Sequence, residues 1–245
     1  MLVRVLSWNI HKCTGGLDRR YDPARTANLI ASCAPDLVLL QEVAEDGTWY
    51  RGERQVDVLG DLLGLPHRSY FVNVRFGVRR GSYGNAVLSR FPIVATENID
   101  ITQPGKKQRS ILHAEVRLAL DGAGTRALHA FNLHLGLGER ERRRQLVQFL
   151  AAHPFAGLHR RTPIVVAGDF NDVWGTLGPR LLEPNGFRGP QRPLATFPAY
   201  APLRALDSLY VRGEVEVREL NRIRHAPAAT ASDHLALLAT LHVRG

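Results

Sequence analysis

The sequence predicts an α/β fold, a sandwich of mixed β-sheets with helices outside, on three observations. Short apolar or alternating runs recur at strand length, and fewer segments carry helical spacing. Strands alternate with helices near both ends of the chain while hairpin-like neighbours fill the middle, which suits mixed sheets better than a purely parallel fold. No Gly-, Ser- or Pro-rich linker divides the 245 residues, 44% of them hydrophobic, so residues 1–245 are expected to form one domain. A single globule of this size buries roughly 70–75% of its unfolded surface and needs no staples.

The first strand is expected over 2–9, and its run VRVLSWNIH ends in Asn9 and His11. Asp22 stands as N-cap and Pro23 as first helical residue of a helix over 23–33. The next strand, 37–42, ends in Glu42, which by alternation shares a face with Val38 and Leu40. Helical spacing over 53–64 leads to strands over 69–76, 84–89, 93–101, 110–118 and 126–135. The last of these puts Asn132 and His134 on one face with Leu128 and Ala130. In a helix over 139–152, Leu146, Phe149 and Leu150 are spaced to face a sheet. Its arginine-rich start is expected to pair with itself, Glu139 with Arg143 and Glu141 with Arg144.

The run Ile164, Val165, Val166, Ala167 within 163–169 reads as a strand buried on both faces, yet it runs straight into Asp169 and Asn171. A helix over 174–183 and strands over 206–211, 214–220 and 235–243 complete the chain. Asp207 opens one of these strands, and Asp233 and His234 immediately precede the final one.

Lys and Arg number 32 against 23 Asp and Glu, a net charge of +9. Such an excess favours polyanionic partners: nucleic acid, phosphorylated metabolites or an anionic membrane surface. The excess is nearly all arginine, which base composition alone can produce. Two cysteines, no leader and no apolar run approaching about 18 residues point to a cytoplasmic, reduced chain without a membrane span. They exclude a disulfide-stapled scaffold, and Cys13 and Cys33 read as packing residues.

An Asp or Asn at one strand end is ordinarily a turn former. Here Asn9, Glu42, His134, Asp169, Asn171, Asp207, Asp233 and His234 all lie at or inside apolar strands. Unpaired carboxylates in such places are costly, so they must pair or hold a cation. Hard oxygen donors without thiolate select Mg²⁺ or Mn²⁺ over zinc. Asp169 can orient or deprotonate a water that Asn171 holds in line, which is metal-assisted hydrolysis of a phosphoester.

The motifs SWNIH, LLQEV, GNAVLSR, FNLHL, GDFND, ALDSLYV and SDH, spread in this order over residues 7–234, resemble those of the endonuclease/exonuclease/phosphatase (DNase I-like) superfamily. The resemblance implies a four-layer α/β sandwich, two central mixed sheets flanked by helices, with the site where strand ends meet. It implies metal-site roles for Asn9, Glu42 and Asp233, and water handling by Asp169 and Asn171. His234 would hydrogen-bond the scissile phosphate, oriented by Asp207, with His134 near the leaving group and Arg109 of KKQRSIL on phosphate. Ser208 departs from the pattern, since an aromatic commonly follows the Asp. His11 stands where the abasic-site branch carries Asn, which argues against that branch; NIHK looks like the small bacterial members.

The loops RFGVRRGSYG (75–84) and PGKKQRS (104–110) contain no carboxylate and offer Arg79, Arg80, Lys106 and Lys107 to substrate. Trp174, Phe197 and Tyr200 can stack on a base or pack against acyl chains. The first expectation is a monomeric Mg²⁺-dependent phosphodiesterase acting on nucleic acid, as an endo- or exonuclease. The second is the same chemistry on phospholipid headgroups or inositol-type phosphoesters. A non-catalytic binding module is disfavoured, because every catalytic position of the motif set is filled.

Overall fold

The computed structural model describes residues 1–120, 124–224 and 230–244. Two sheets form its centre. The first has six strands in the order β10 (Val215–Arg222), β11 (Leu237–Val243), β1 (Leu2–Asn9), β2 (Leu37–Glu45), β4 (Ser82–Ser89), β3 (His67–Arg75). The second has five: β5 (Ile93–Asp100), β6 (Ser110–Leu120), β7 (Gly124–His134), β8 (Ile164–Asp169), β9 (Asp207–Arg212). Among the described residues, only β1–β2 and β7–β8 pair in parallel, one such pair at the middle of each sheet.

Helices α1 (Pro23–Ser32) and α2 (Gln55–Leu63) cover the first sheet, and α3 (Glu139–Ala151) covers the second. Three apolar layers result. Trp8 and Leu40 meet Leu29, Ile30 and Leu59 beneath α1 and α2. Val5, Leu39 and Val87 meet Ala130, Val165 and Ala167 between the sheets. Phe131, Ile164 and Val166 meet Leu146 and Phe149 beneath α3. Alternate residues of β8 therefore feed two different cores, which is why its sequence is apolar without interruption. This is the expected four-layer sandwich. Asp22 caps α1 by accepting from the Arg25 N–H at 3.0 Å, with Pro23 at the first helical position.

Two expectations fail. No α-helix forms over 174–183; a single wide helical turn, Gly178–Leu182, is followed by a 3-10 turn, Glu183–Asn185. Gly175, Gly178 and Pro179 are poor material for a regular first turn. The α3 ion pairs are also absent: Glu141 accepts from Gln145 at 3.5 Å, and buried Arg142 donates to the Leu137 carbonyl.

Local irregularities aim the strand ends. The β2–β4 register shifts between Leu40 and Val43, and Glu42 sits in this bulge with φ 55°. Strict alternation with Val38 and Leu40 is thereby broken, and Glu42 turns toward the mouth between the sheets. The bulge frees backbone carbonyls inside the core, and Asn132 of the opposite sheet satisfies them: its amide donates to Leu40 O and Ala86 O at 2.8 Å each. Its Oδ1 accepts from Gln41 Nε2 at 2.7 Å. Asn132 is thus a clamp between sheets rather than part of a reactive face.

Gly168 precedes Asp169 with φ 146°, and a Cβ there would lie 2.0 Å from Leu133 O in the paired strand. A Gly→Ala change at a compatible site ordinarily stabilises by about 0.4–1 kcal/mol. Gly168→Ala should instead destabilise by more than ~2 kcal/mol, since strain and a backbone clash act together. Urea denaturation measures this, and a loss under about 0.5 kcal/mol would contradict the close approach of β7 and β8.

Candidate active site

The C-terminal ends of β1, β2, β7 and β8 open at the same end of the sandwich. The sheet register sets His134, Asp169 and Asp207 side by side across β7, β8 and β9. Asn9 reaches over from the other sheet, donating Nδ2 to Asp169 Oδ2 at 3.1 Å. His234, just before β11, comes from the same side, its carbonyl accepting from Trp8 Nε1 at 2.9 Å.

Asp169 is the centre of this group and is buried. Its Oδ1 accepts from the Asn171 backbone N–H at 2.9 Å. Its Oδ2 stands 3.4 Å from His134 Nε2 and 3.9 Å from His234 Nε2. Asn171, itself left-handed at φ 50°, is fixed by donating Nδ2 to Leu135 O at 2.9 Å. Burial raises the Asp169 carboxyl from 3.8 to about 6 against the pull of the His234 charge, which places it where a general base works best near neutrality.

The two histidines are pushed apart. Burial works against a charged His234, but Asp207, bonded to its Nδ1 at 2.8 Å, and then Asp169 overcome it and hold the ring cationic to about 10. His134 lies well below the ordinary histidine range, through burial first and then the Arg109 charge. Asp207 Oδ2 also accepts from the Thr196 hydroxyl, while its Oδ1 is buried without a partner. Ser232 locks the segment by donating to Asn9 O at 2.7 Å and accepting from the His234 N–H at 3.2 Å.

The three positions expected to hold metal each have neighbours of their own, Asn9 Oδ1 accepting from the His11 N–H at 3.1 Å. Glu42 is ion-paired with Lys12, and Asp233 faces His11 Nδ1 at 3.9 Å. Burial would raise Glu42, yet Lys12 and then His134 draw it down to about 2, so it stays an anion paired with Lys12. Asp169, Asp207 and His234 each offer one potential ligand atom, all within 4.8 Å of one another. In this trio His234 Nδ1 is bonded to Asp207 Oδ2 at 2.8 Å, so an ion there would compete with that hydrogen bond. Glu42 offers hard carboxylate oxygens of the kind a divalent cation takes.

Lys12, the last residue of NIHK, carries no role in the sequence reading. It lies in a turn whose residues His11, Lys12 and Cys13 are all left-handed, at φ 46°, 60° and 53°. With the bulged Glu42 and Asn171, left-handed non-glycine residues gather around one site, the usual address of functional strain. Tyr83 was missed too: Lys12 and Lys107 each lie 4.9 Å from its ring centroid.

Arg109 is buried beside this cluster with Nε and Nη1 unpartnered. Unpartnered donors of a buried guanidinium suit a carboxylate or phosphate. Phe197 packs on the His234 ring at 5.0 Å. Arg79, Arg80, Lys106, Trp174 and Tyr200 stand exposed on the surrounding loops and are not drawn into the centre. Cys13 and Cys33 are free and buried, and burial raises Cys13 to about 12, which leaves it inert.

The raised Asp169 value has a stability consequence. A carboxyl whose folded value exceeds its unfolded one binds protons preferentially in the native state, so its contribution falls as pH rises from about 4 to about 6. Asp169→Asn should therefore raise stability by up to about 2 kcal/mol above that window, with the gain vanishing toward about pH 4. Thermal denaturation across pH checks it, and an Asn variant less stable than the parent at neutral pH would contradict it.

The sequence profile of the Endonuclease/Exonuclease/phosphatase family matches residues 6–234. The uncharacterized protein YbhP of Escherichia coli K12 is 32% identical over 256 residues, spanning 98% of this chain and 96% of YbhP. The solved endonuclease/exonuclease/phosphatase of Beutenbergia cavernae superposes with a TM-score of 0.80 at 24% identity, covering 100% of this chain and 72% of its own. That of Bacteroides vulgatus superposes with a TM-score of 0.76 at 20% identity, covering 100% of both. The superpositions carry the fold, and the profile with the YbhP identity carries membership. The chain belongs to the endonuclease/exonuclease/phosphatase family, whose members hydrolyse phosphoesters.

Proposed function

We propose that the chain is a Mg²⁺- or Mn²⁺-dependent phosphodiester hydrolase. The observation that carries this is a buried carboxylate, Asp169, whose Oδ2 stands 3.4 Å from His134 Nε2 and 3.9 Å from His234 Nε2. Asp169 takes the proton of the attacking water. Asn171, with Nδ2 occupied by Leu135, keeps its Oδ1 for holding that water in line. His234 keeps Nε2 free to donate to a phosphate oxygen because Asp207 occupies Nδ1. Arg109 offers its unpartnered Nε and Nη1 to the same group, and His134 stands beside the leaving oxygen. Glu42, with Asn9 and Asp233, would hold the divalent ion, which supplies neutralisation of charge developing on phosphate oxygens. Lys12 must then leave Glu42.

Nucleic acid and phospholipid headgroups both present a phosphodiester to such a site, and the loop cations serve either. Arg80 lies 5.2 Å from the Trp49 ring and 5.7 Å from that of Phe76, and Lys107 lies 5.7 Å from Phe76. Alternating rings and cations of this kind favour a polynucleotide strand. The exposed apolar loop tips, taken up below, favour a lipid.

Hydrolysis of the chromogenic diester bis(4-nitrophenyl) phosphate tests the chemistry without choosing between them. Activity should vanish on chelation and return with Mg²⁺ or Mn²⁺, Glu42→Gln should shift half-saturation to higher metal, and Asp169→Asn should cost about 10²–10⁴ in turnover. Full activity after exhaustive chelation, or a parental rate in a folded Asp169→Asn protein, would overturn the proposal.

A further inference from the structure

Among the described residues, most of the large apolar side chains that stand exposed are on loops at the end of the sandwich that holds the site. Leu17 follows β1, Leu137 follows β7 and Trp174 follows β8, while Val78 joins β3 to β4 and Leu203 leads into β9. Their exposure is extreme: 83% for Leu203, 79% for Trp174 and Val78, 78% for Leu137. The connections at the opposite end, 33–36, 64–66, 90–92 and 213–214, hold no exposed large apolar side chain. Leu2, Leu62, Phe71, Val94 and Val147 stand exposed elsewhere, as solitary apolar residues ordinarily do, but the concentration on loops around one site is not ordinary.

We infer that this rim docks on an anionic lipid surface, presenting headgroups to the site. The inference rests on the proposed hydrolase only in calling this end the mouth of the site. The tips of Leu17, Val78, Leu137 and Leu203 project from four separate loops. A rigid protein partner would need a pocket for each, whereas a fluid interface accepts each independently. A polynucleotide would use the rings and cations and leave the bare aliphatic tips of Leu17, Val78, Leu137 and Leu203 in water.

Charge agrees with this choice of occupant. Arg79 and Arg80 flank Val78 in a loop without carboxylates, and Lys106 and Lys107 stand on the neighbouring one. Basic residues beside apolar tips are the pairing that holds peripheral proteins to anionic leaflets. Trp49 and Tyr200, exposed on the same rim, are the aromatic types favoured at a membrane–water boundary. The Val78 loop is braced for such a load: Thr48 and Trp49 N–H groups donate to Val78 O and Arg79 O at 3.2 and 3.1 Å. No helix among the described residues is long and apolar enough to cross a membrane, so the contact proposed is with the surface.

Vesicle flotation with chelator present tests the inference without turnover. The chain should float with vesicles of equal phosphatidylglycerol and phosphatidylcholine, and far less with phosphatidylcholine alone. Replacing Val78, Leu137 and Leu203 together by Ser should weaken binding about tenfold or more at an unchanged melting temperature. Lys106→Gln with Lys107→Gln should weaken it about fivefold per lysine. If the triple variant fails to fold, Leu203→Ser alone, at the most exposed tip, should still lower binding. No flotation at low salt, or parental flotation by a folded triple variant, would overturn the inference. So would a single-stranded oligonucleotide that binds while vesicles do not. Floating without hydrolysis of the chromogenic diester would overturn the proposed function alone, and hydrolysis without flotation would overturn this inference alone.

Discussion

The ionic chain Asp207–His234–Asp169 is the constraint around which the site is arranged. Asp207 accepts the His234 Nδ1 proton at 2.8 Å and so fixes both the charge and the orientation of the ring. That charge lies 3.9 Å from Asp169 and offsets part of the burial that would otherwise keep the carboxyl neutral. Without it, Asp169 would be protonated at the pH where a base is needed. Most of the surroundings serve this chain: Thr196 on Asp207, Trp8 and Ser232 on the His234 backbone, Asn9 and the Asn171 amide on Asp169. Each supports a charge that an apolar sandwich would otherwise reject.

Bringing charged strand ends together requires backbone geometry that regular strands do not supply. Glu42 is turned by a bulge, Asp169 is preceded by a glycine too close to β7 for a side chain, and His11, Lys12 and Asn171 are left-handed. Asn132 closes the hydrogen-bonding gap that the bulge opens. Stability is given up locally so that polar groups converge, and three apolar layers supply what that convergence costs. Lys12 belongs to the same arrangement, since it neutralises the bulged Glu42.

The strands were largely legible in the sequence because each feeds either one core or two, and the two cases leave alternating or continuous apolar runs. The fold class followed from their order. What failed had local causes. The 174–183 segment has helical spacing interrupted by glycine and proline, and spacing alone does not register their cost. Glu42 was placed by strict alternation, which a bulge defeats. Asn132 lies in FNLHL as Asn9 lies in SWNIH, yet one amide bridges two sheets and the other touches Asp169. Lys12, Thr196 and Ser232 were illegible because their importance arises from residues distant in the chain. The apolar rim was invisible for the same reason: Leu17, Val78, Leu137 and Leu203 become a pattern only when the loops meet at one end.

The claim tested most directly is that the two histidines beside Asp169 are held in opposite charge states. Ring nitrogen shifts of His134 and His234, followed by NMR on the metal-free protein, report this without substrate. His234 should remain an imidazolium through about pH 8, His134 should be neutral at about pH 7, and Asp207→Asn should bring the His234 titration back toward the ordinary histidine range. A His234 that titrates near 6.5 in the parent protein, or a His134 protonated at neutral pH, would contradict it.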